Sequence, residues 1–366
     1  MVGLILSGRE DHQWPQPRRQ RVSVEGASLI SPLDDQPKSG MKHAKYHLLV
    51  IVSFIISATL SYTCWQNLIS GRLDIFGIHI QSSPKDELER ALQRASMGNK
   101  TVMISVLNRA YANDGGLFDL FLEGFRKGKN TSVLLNHLLL LAFDQKSYET
   151  CNRLHQHCYK VSVDDSDFSN ELYYMSSGYL NMLWRKTQFL IQVLKRGYSF
   201  LFTDMDILWL RNPFDILKHE GDDFQFSCDT YTGKPYDENN PANIGFYLVV
   251  SNNKSIALFE TLYAKRNNTG GRKQQDLLME MKKKGVFRQL GLKVRYLDDR
   301  YIAGFCSIGR YNDKVRTIHA NCCRGIKAKL IDLRLVLDEW EAFSNATLTN
   351  YKLKWPRHAE CLHSWA

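Results

Sequence analysis

Two aspartates, Asp204 and Asp206, follow the apolar segment 199–203 at a spacing that could bind a divalent cation. Alternate side chains of a β-strand point to the same face, so both carboxylates can reach one ligand while Met205 points back towards the core. Hard cations such as Mn²⁺ and Mg²⁺ prefer oxygen ligands, and α/β sheets bind ligands at the carboxyl ends of their strands. The spacing therefore predicts a metal site.

A second Asp-x-Asp triplet provides an internal comparison. Asp165 and Asp167 have the same spacing, but no apolar strand precedes them. Clusters of Asp and Ser between periodic segments are typical of solvated turns. We therefore predict that the metal binds Asp204 and Asp206 and that the earlier triplet is a turn.

Apolar strands alternate with amphipathic helices from Lys100 onward, a pattern that predicts one α/β domain with a largely parallel sheet. The continuous apolar run 132–141 is typical of a strand covered on both faces. The predicted strands cover residues 102–107, 133–142, 159–163, 200–203, 224–228 and 244–250. The predicted helices cover residues 86–95, 117–126, 148–157, 172–196 and 327–343.

The segment 46–65 contains no Lys, Arg, Asp or Glu and predicts a transmembrane helix near the N-terminus. About 20 such residues suffice to cross a hydrocarbon core. Basic residues immediately before the segment place residues 1–45 in the cytosol and the remainder in the lumen. Residues 66–98 then form a stem, and residues 99–366 form the luminal domain. The alternative is that the segment is a buried helix of a soluble protein.

Sequons and cysteines beyond residue 65 agree with a luminal location. The five sequons begin at Asn99, Asn130, Asn253, Asn267 and Asn345. The seven cysteines are Cys151, Cys158, Cys228, Cys306, Cys322, Cys323 and Cys361. The paired spacing of a zinc site is missing, so we expect disulfides. Because seven is odd, at least one cysteine is free or pairs with another chain.

The formal net charge of +10 suits anionic ligands such as nucleotides, although it is not specific. No basic run interleaved with aromatic residues indicates nucleic acid as a partner. Neither of the common Gly-rich phosphate loops, G-x-x-x-x-G-K and G-x-G-x-x-G, is present. A bound diphosphate would therefore depend on the metal for much of its charge compensation.

A signal-anchored luminal α/β domain with a strand-terminal Asp-x-Asp resembles a Golgi glycosyltransferase of the GT-A type, with a Rossmann-like, mostly parallel mixed sheet and helices on both faces. Three segments make the resemblance closer: 183–187 (LWRKT), 197–214 (GYSFLFTDMDILWLRNPF) and 319–325 (HANCCRG). Together they are similar to the plant nucleotide-diphospho-sugar transferase domain of glycosyltransferase family 77, over about residues 99–343.

This resemblance implies a nucleotide-sugar donor, usually a UDP-sugar, a glycan or glycoprotein acceptor and transfer with retention at the anomeric carbon. It implies a Mn²⁺ site, with Mg²⁺ as the alternative, formed by Asp204, Asp206 and His319. Asp204 would also contact the donor, and Lys327 would meet the diphosphate. The implied address is the Golgi membrane, as a single-pass type II protein with a luminal catalytic domain.

Four further residues are donor-binding candidates with structural alternatives. Asn108 ends the first predicted strand, where related folds hold the nucleotide, but asparagines are also common in caps and turns. Lys186 could reach phosphate or be a solvated helix lysine. Asn243 and Gly245 lie where related enzymes bring backbone close to the donor sugar, although a simple turn before a strand is the alternative.

Asp276 is the candidate catalytic residue. It aligns with a family segment that usually reads Asp-Gln-Asp with an Asn three residues later, and it could stabilise oxocarbenium-like charge. Here Gln274 replaces the first Asp and Met279 replaces the Asn. These departures leave donor specificity open.

Two other functions compete with a transferase. A haloacid-dehalogenase-type phosphatase also carries Asp-x-Asp after an apolar strand, with the first Asp as nucleophile. Small residues normally follow that motif, whereas the large residues Ile207, Leu208 and Trp209 follow it here. The changed segment before Asp276 suggests instead a catalytically inactive sugar-nucleotide-binding or scaffold protein.

Overall fold

The computed structural model forms two compact units, residues Met1–Ile80 and Gln81–Ala366. The residues that the structure describes are 51–63, 65, 84–162, 168, 171–172, 175–217, 221–307, 313–346 and 352–365.

Residues 51–63 of the first unit are helical. Among the described residues, no helix is both long enough and apolar enough to cross a membrane. The predicted span 46–65 begins outside those residues, so the transmembrane helix stays a prediction. The tail 1–45 and the triplet at Asp165 also lie outside the described residues.

A mixed seven-stranded sheet forms the centre of the second unit, and a three-stranded sheet lies beside it. In chain order the strands are β1 Thr101–Leu107, β2 Leu138–Ala142, β3 Cys158–Lys160, β4 Ser199–Thr203, β5 Ile207–Trp209, β6 Phe224–Cys228, β7 Ala242–Val249, β8 Val294–Tyr296, β9 Ile302–Gly304 and β10 Thr317–His319. The large sheet has the order β3-β2-β1-β4-β7-β6-β8, and the small sheet has the order β5-β10-β9. In the large sheet only the pairings of β7 with β4 and β6 are antiparallel. The predicted mostly parallel α/β sheet is confirmed.

The helices pack on both faces of the large sheet. They are α1 Pro84–Ala95, α2 Leu117–Lys127, α3 Gln145–Leu154, α4 Ser177–Lys195, α5 Asn253–Ala264, α6 Gln274–Lys283, α7 Val286–Gln289, α8 Ile326–Asn345 and α9 Ala359–His363. Short 3₁₀ turns cover Ser132–His137, Lys265–Asn268 and Phe305–Ser307.

Side chains of the central strands alternate between two core clusters. In β4, Phe200 and Phe202 enter one cluster with α4 and α5, whereas Leu201 enters the other with α2 and α8. This alternation follows from the two-residue period of a strand. Burial on both faces explains why the central strands are continuously apolar.

The apolar run around the metal motif is two strands rather than one. β4 ends at Thr203, residues 204–206 form a turn, and β5 joins the second sheet. Strand alternation therefore does not orient the two aspartates, which corrects the sequence-based argument. Backbone hydrogen bonds fix the turn instead, because Asp204 N donates to Gly245 O at 2.7 Å and Ala320 N donates to Asp206 O at 3.0 Å.

The predicted strand 133–142 is wrong in its first half. Residues Ser132–His137 form a 3₁₀ turn, and Val133 is 59% exposed. The imidazole of His137 hydrogen-bonds the Ala95 carbonyl at 3.2 Å, which directs this segment towards α1. A continuous apolar run does not mark where a buried strand begins, because it has no period to read.

Other predicted boundaries differ mainly at the ends of elements. The helix predicted over 172–196 begins at Ser177, where the side chain of Ser176 accepts a hydrogen bond from Tyr179 N. The sequence patterns did not identify the strands β8 to β10 or the helices α5 and α6. The three-residue strands are too short to display a hydrophobic period.

Three disulfides and one free thiol account for the seven cysteines beyond residue 65. Disulfides join Cys151 to Cys158, Cys306 to Cys322 and Cys323 to Cys361. Among the described residues Cys228 remains a buried free thiol, whose pKa is raised by burial. The preference for disulfides over metal ligation is confirmed.

We predict that Leu140→Ala lowers the free energy of unfolding by about 2–5 kcal/mol, because Leu140 is fully buried in β2. Val133→Ala should change it by less than about 0.5 kcal/mol, because its side chain lies on the surface. Chemical unfolding of both variants followed by tryptophan fluorescence measures the difference. An equal loss in both would mean that Val133 belongs to the buried strand after all.

Candidate active site

Asp204, Asp206 and His319 converge on one point at the carboxyl end of β4. One potential ligand atom from each residue lies within 4.8 Å of those of the other two. The aspartates occupy the turn between β4 and β5, and His319 is the last residue of β10. Because β10 pairs antiparallel with β5, with His319 opposite Ile207, the second sheet delivers the imidazole to the carboxylates.

Opposite charges surround the more deeply buried carboxylate, Asp206. His319 Nε2 lies 3.2 Å from Asp206 Oδ1 and 3.8 Å from Asp204 Oδ2. Lys329 Nζ lies 2.8 Å from Asp206 Oδ2. Burial alone would raise the pKa of Asp206, but the ammonium of Lys329 and the imidazole of His319 together lower it well below its usual range.

Asp204 has a different electrostatic environment. Burial raises its pKa, the ammonium of Lys186 opposes that change, and the carboxylate of Asp206 adds to it. Burial lowers the pKa of Lys186 itself, with Asp204 opposing this effect. Two close carboxylates disfavour each other's ionisation unless cations lie nearby, so this pair is suited to hold a positive charge.

Gly245 on β7 provides the space in which these side chains meet. A Cβ at this position would lie 2.3 Å from His319 Cε1 and 2.7 Å from Asp204 Oδ2, which real side chains do not tolerate. The amide of Gly245 donates to Asn243 Oδ1 at 2.8 Å, so the two predicted donor-binding residues are hydrogen-bonded to each other. The sequence interpretation of Asn243 and Gly245 as only a turn is wrong, since both lie within β7.

A partly buried hydrogen-bond network that the sequence did not reveal orients the same segment. Asp229 Oδ1 accepts hydrogen bonds from Asn243 Nδ2 and Asn321 Nδ2, both at 2.8 Å. Asn321 Oδ1 in turn accepts from Cys306 N at 3.1 Å. Asp229 directly follows the apolar strand β6, which is the same signal that identified Asp204. A single strand-terminal carboxylate is a weaker signal than the paired carboxylates of an Asp-x-Asp motif.

All these groups face one cleft of about 290 Å³. Seven of the nine predicted site residues line it, namely Asn108, Lys186, Asp204, Asp206, Asn243, Gly245 and His319. Cleft-lining residues that the sequence did not identify include Tyr111, Asp229, Gln275, Asn321, Arg324, Lys329 and Trp365.

The predictions for Lys186 and Asn108 have different outcomes. Lys186 is only 4% exposed, and its ammonium lies 4.1 Å from the centre of the Phe202 ring, so the solvated-lysine alternative is wrong. Asn108 Nδ2 donates to Phe168 O at 2.8 Å, and its Oδ1 accepts from Tyr111 N at 3.3 Å. Asn108 therefore stabilises the turn after β1 and also lines the cleft.

Asp276, the predicted catalytic residue, is exposed and does not line the cleft. Its Oδ2 accepts from Lys273 N at 3.3 Å, which makes it part of the N-terminal cap of α6. The neighbouring Gln275 lines the cleft instead, where its Oε1 accepts from Ile244 N at 3.2 Å. Because one residue on a helix turns the side chain by about 100°, the sequence motif alone could not assign the inward-facing position.

Lys327 is likewise exposed and outside the cleft, and Lys329 occupies the inner position. Both lie in the first turns of α8, which begins at Ile326. Residues two apart on a helix point about 200° apart, so only one of the two lysines can face Asp206. The resemblance implied Lys327 for this role, whereas Lys329 is the lysine that lines the cleft.

The donor set of the cluster fits a hard divalent cation. Two carboxylates and one imidazole suit Mn²⁺ or Mg²⁺, which leave further positions for water or phosphate oxygens. The glycine at position 245 and the hydrogen-bonded turn at 204–206 hold these donors around one small space. The arrangement can bind a cation together with an anionic ligand.

Comparisons with known proteins identify the family of this chain. A sequence model of the family described as nucleotide-diphospho-sugar transferase matches residues 133–333. An Arabidopsis thaliana protein described as uncharacterized is 38% identical over 325 residues, covering 87% of this chain and 94% of that protein. The Arabidopsis thaliana beta-arabinofuranosyltransferase RAY1 is 25% identical over 192 residues, covering 52% of this chain and 34% of that protein.

Among solved structures, mouse xyloside xylosyltransferase 1 aligns with a TM-score of 0.38 and 14% identity, over 61% of this chain and 98% of that one. The family match spans β2 to β10 and most of the cleft residues. The chain therefore belongs to the nucleotide-diphospho-sugar transferase family of glycosyltransferases, as its sequence motifs predicted.

Proposed function

We propose that the protein is a Mn²⁺-dependent, retaining glycosyltransferase that moves a sugar from a UDP-sugar to a cell-wall glycan or glycoprotein. The observation that carries this proposal is the convergence of Asp204, Asp206 and His319, with Lys329 beside them, in one cleft. Family membership supplies the nucleotide-sugar donor, and this cluster supplies a place for its diphosphate.

Asp204, Asp206 and His319 would hold the cation, with Mg²⁺ as the alternative to Mn²⁺. When bound, the cation supplies Lewis-acid stabilisation of the charge that develops on the diphosphate leaving group. The remaining residues of the cleft then act on the ligand directly.

Lys329 and Lys186 provide the protein's own positive charge for the diphosphate. Lys329 reaches Asp206 from α8, and Lys186 lies beneath the cleft near Asp204. Held in a partly buried site, such cations stabilise an oxyanion more strongly than they would in water. In this proposal Lys329 has the role that the resemblance implied for Lys327.

Polar groups on β6, β7 and α6 face the remaining space, where the donor sugar would lie. Gln275 and Asn243 are fixed by hydrogen bonds to the backbone of Ile244 and to Asp229, respectively. In the retaining reaction the bond from the anomeric carbon to the diphosphate oxygen breaks, and the acceptor oxygen bonds to the same face. The acceptor's proton passes to the departing phosphate oxygen, so a strong protein base is not required.

The inactive alternative rested on the unusual residues Gln274 and Met279. The side-chain amide of Gln274 donates to the Leu183 carbonyl at 2.6 Å and also contacts the Thr187 hydroxyl, so it joins α6 to α4. Met279 packs against the core. Neither residue lines the cleft, and this favours an active enzyme. Membership of the transferase family leaves the phosphatase alternative without support.

A Golgi type II location is part of the proposal. It is supported by the uncharged segment 46–65 and by the basic residues that precede it. The asparagines of all five sequons are exposed, and the three disulfides suit an oxidising lumen.

Asp206→Asn tests the metal-dependent reaction. We expect Mn²⁺-dependent UDP release from a panel of UDP-sugars to fall at least about 100-fold, because a charged ligand is replaced by a neutral amide. Asp338→Asn, on the exposed side of α8, is the control and should retain wild-type release. Thermal unfolding of each variant separates loss of ligand from loss of fold. Undiminished release by a folded Asp206→Asn protein would exclude the assigned cation site.

A pair of lysine variants tests which residue meets the diphosphate. Lys329→Ala should lower kcat by about 10²–10³-fold, because it removes a cation that stabilises the leaving group. Lys327→Ala should change kcat less than about twofold, since the side chain points to solvent. Steady-state kinetics with saturating Mn²⁺ measures both. The reverse ranking would restore the assignment made from sequence.

Glycosidase digestion tests the luminal topology. When the full chain is expressed in a eukaryotic secretory system, removal of N-glycans should increase its electrophoretic mobility, and protease added to sealed microsomes should remove only the short cytosolic tail. Changing the five sequon asparagines to Gln should abolish the mobility shift. Complete digestion of the catalytic domain in sealed microsomes would place it in the cytosol.

A further inference from the structure

Trp365 lies at the solvent edge of the active-site cleft. Its ring lines the same cleft as Asp204 and His319, yet half of the residue, 50%, remains exposed. Buried tryptophans elsewhere in the chain, such as Trp209 and Trp340, belong to the core. A large aromatic surface left open at the mouth of a cleft is typical of a ligand-binding position.

Two contacts fix the orientation of this ring. Its Nε1 donates to the Cys322 carbonyl at 2.7 Å. The guanidinium of Arg324 lies 3.9 Å from the ring centre, and Arg324 N donates to Ser364 Oγ at 2.9 Å. The indole is therefore held between its own hydrogen bond and a cation–π contact that occupies one of its faces.

The residues that hold Trp365 are connected through the loop after β10 to His319, one of the predicted metal ligands. Cys322 is three residues beyond His319 in the loop after β10, and the adjacent Cys323 is joined by a disulfide to Cys361 of α9. Cys361 is buried, and its amide donates to Asp332 Oδ2 on α8 at 2.7 Å. The ring thus has a defined position relative to the catalytic centre without being part of it.

We propose that Trp365, backed by Arg324, is the stacking platform for the acceptor sugar; this inference rests on the transferase function proposed above. A sugar ring has one face of polarised C–H groups, which an aromatic face attracts through its negative quadrupole. Because the guanidinium of Arg324 covers one face of the indole, the sugar stacks on the opposite face.

Position in the cleft favours the acceptor over the donor's nucleobase. The donor diphosphate must reach Asp206 and Lys186, and the nucleotide candidate Asn108 is also almost fully buried. An acceptor glycan must instead enter and leave from solvent while the rest of its chain stays outside. The half-exposed ring of Trp365 meets this requirement.

The test compares Trp365→Ala and Trp365→Phe with Tyr236→Ala. Tyr236 is a suitable control because it is also about half exposed, 52%, and does not line the cleft. Two quantities are measured on the full chain with Mn²⁺: the affinity for UDP by calorimetry, and the binding of methyl glycosides of L-arabinose, L-fucose, D-xylose, D-galactose and D-glucose by saturation-transfer NMR with UDP present.

We expect Trp365→Ala to weaken the best-binding glycoside about tenfold, the effect of losing roughly 1.4 kcal/mol of stacking, and Trp365→Phe to weaken it less. UDP affinity should stay within twofold of wild type in every variant. Unchanged glycoside binding in Trp365→Ala, or no glycoside binding by the wild type, would overturn the platform.

A fall in UDP affinity alone would also overturn the proposal, because it would identify the nucleobase as the occupant. Failure of the transferase function itself gives a different result. In that case the wild-type protein neither binds UDP with Mn²⁺ nor releases it from UDP-sugars, whereas failure of the platform alone leaves both properties intact.

Discussion

The close approach of two carboxylates, of which Asp206 is buried and Asp204 is partly buried, is the constraint on which the active-site architecture depends. Water is excluded from Asp206 and reaches Asp204 only in part, so their charges must be compensated largely by other groups. The second sheet brings His319 to them, α8 brings Lys329, and α4 brings Lys186. Elements from distant parts of the chain therefore meet at this point, and each contributes positive charge or hydrogen-bond donors.

Charge compensation of the carboxylates alone would produce a closed set of ion pairs, but these side chains line an open cleft. Gly245 keeps the space between His319 and Asp204 free of a side chain. Asp229 accepts hydrogen bonds from two side-chain amides and so fixes the wall of the cleft, and it is not part of the candidate metal-binding cluster. Such preorganisation lets the cleft accept a cation and an anionic ligand with little rearrangement, which is how enzyme sites stabilise developing charge.

The sequence predicted those features that depend on local pattern. An apolar strand followed by Asp204 and Asp206 indicated the metal motif, and alternating elements indicated the mixed α/β sheet. It did not predict which of two nearby helix residues faces inward, because that depends on where α6 and α8 begin and how they are rotated. Gln275 was therefore missed beside Asp276, and Lys329 beside Lys327. Asp229 was missed because its partners are distant in sequence and meet it only through tertiary packing.

The loop after β10 couples the two ends of the cleft. It follows His319, a predicted metal ligand, and the carbonyl of Cys322 within it accepts a hydrogen bond from the ring of Trp365 at the solvent edge. Disulfides from Cys322 and Cys323 join this loop to Cys306 and to α9. Both cross-links restrict the same short segment between β10 and α8. The candidate cation site and the outer part of the cleft are thus joined by one covalently restrained loop.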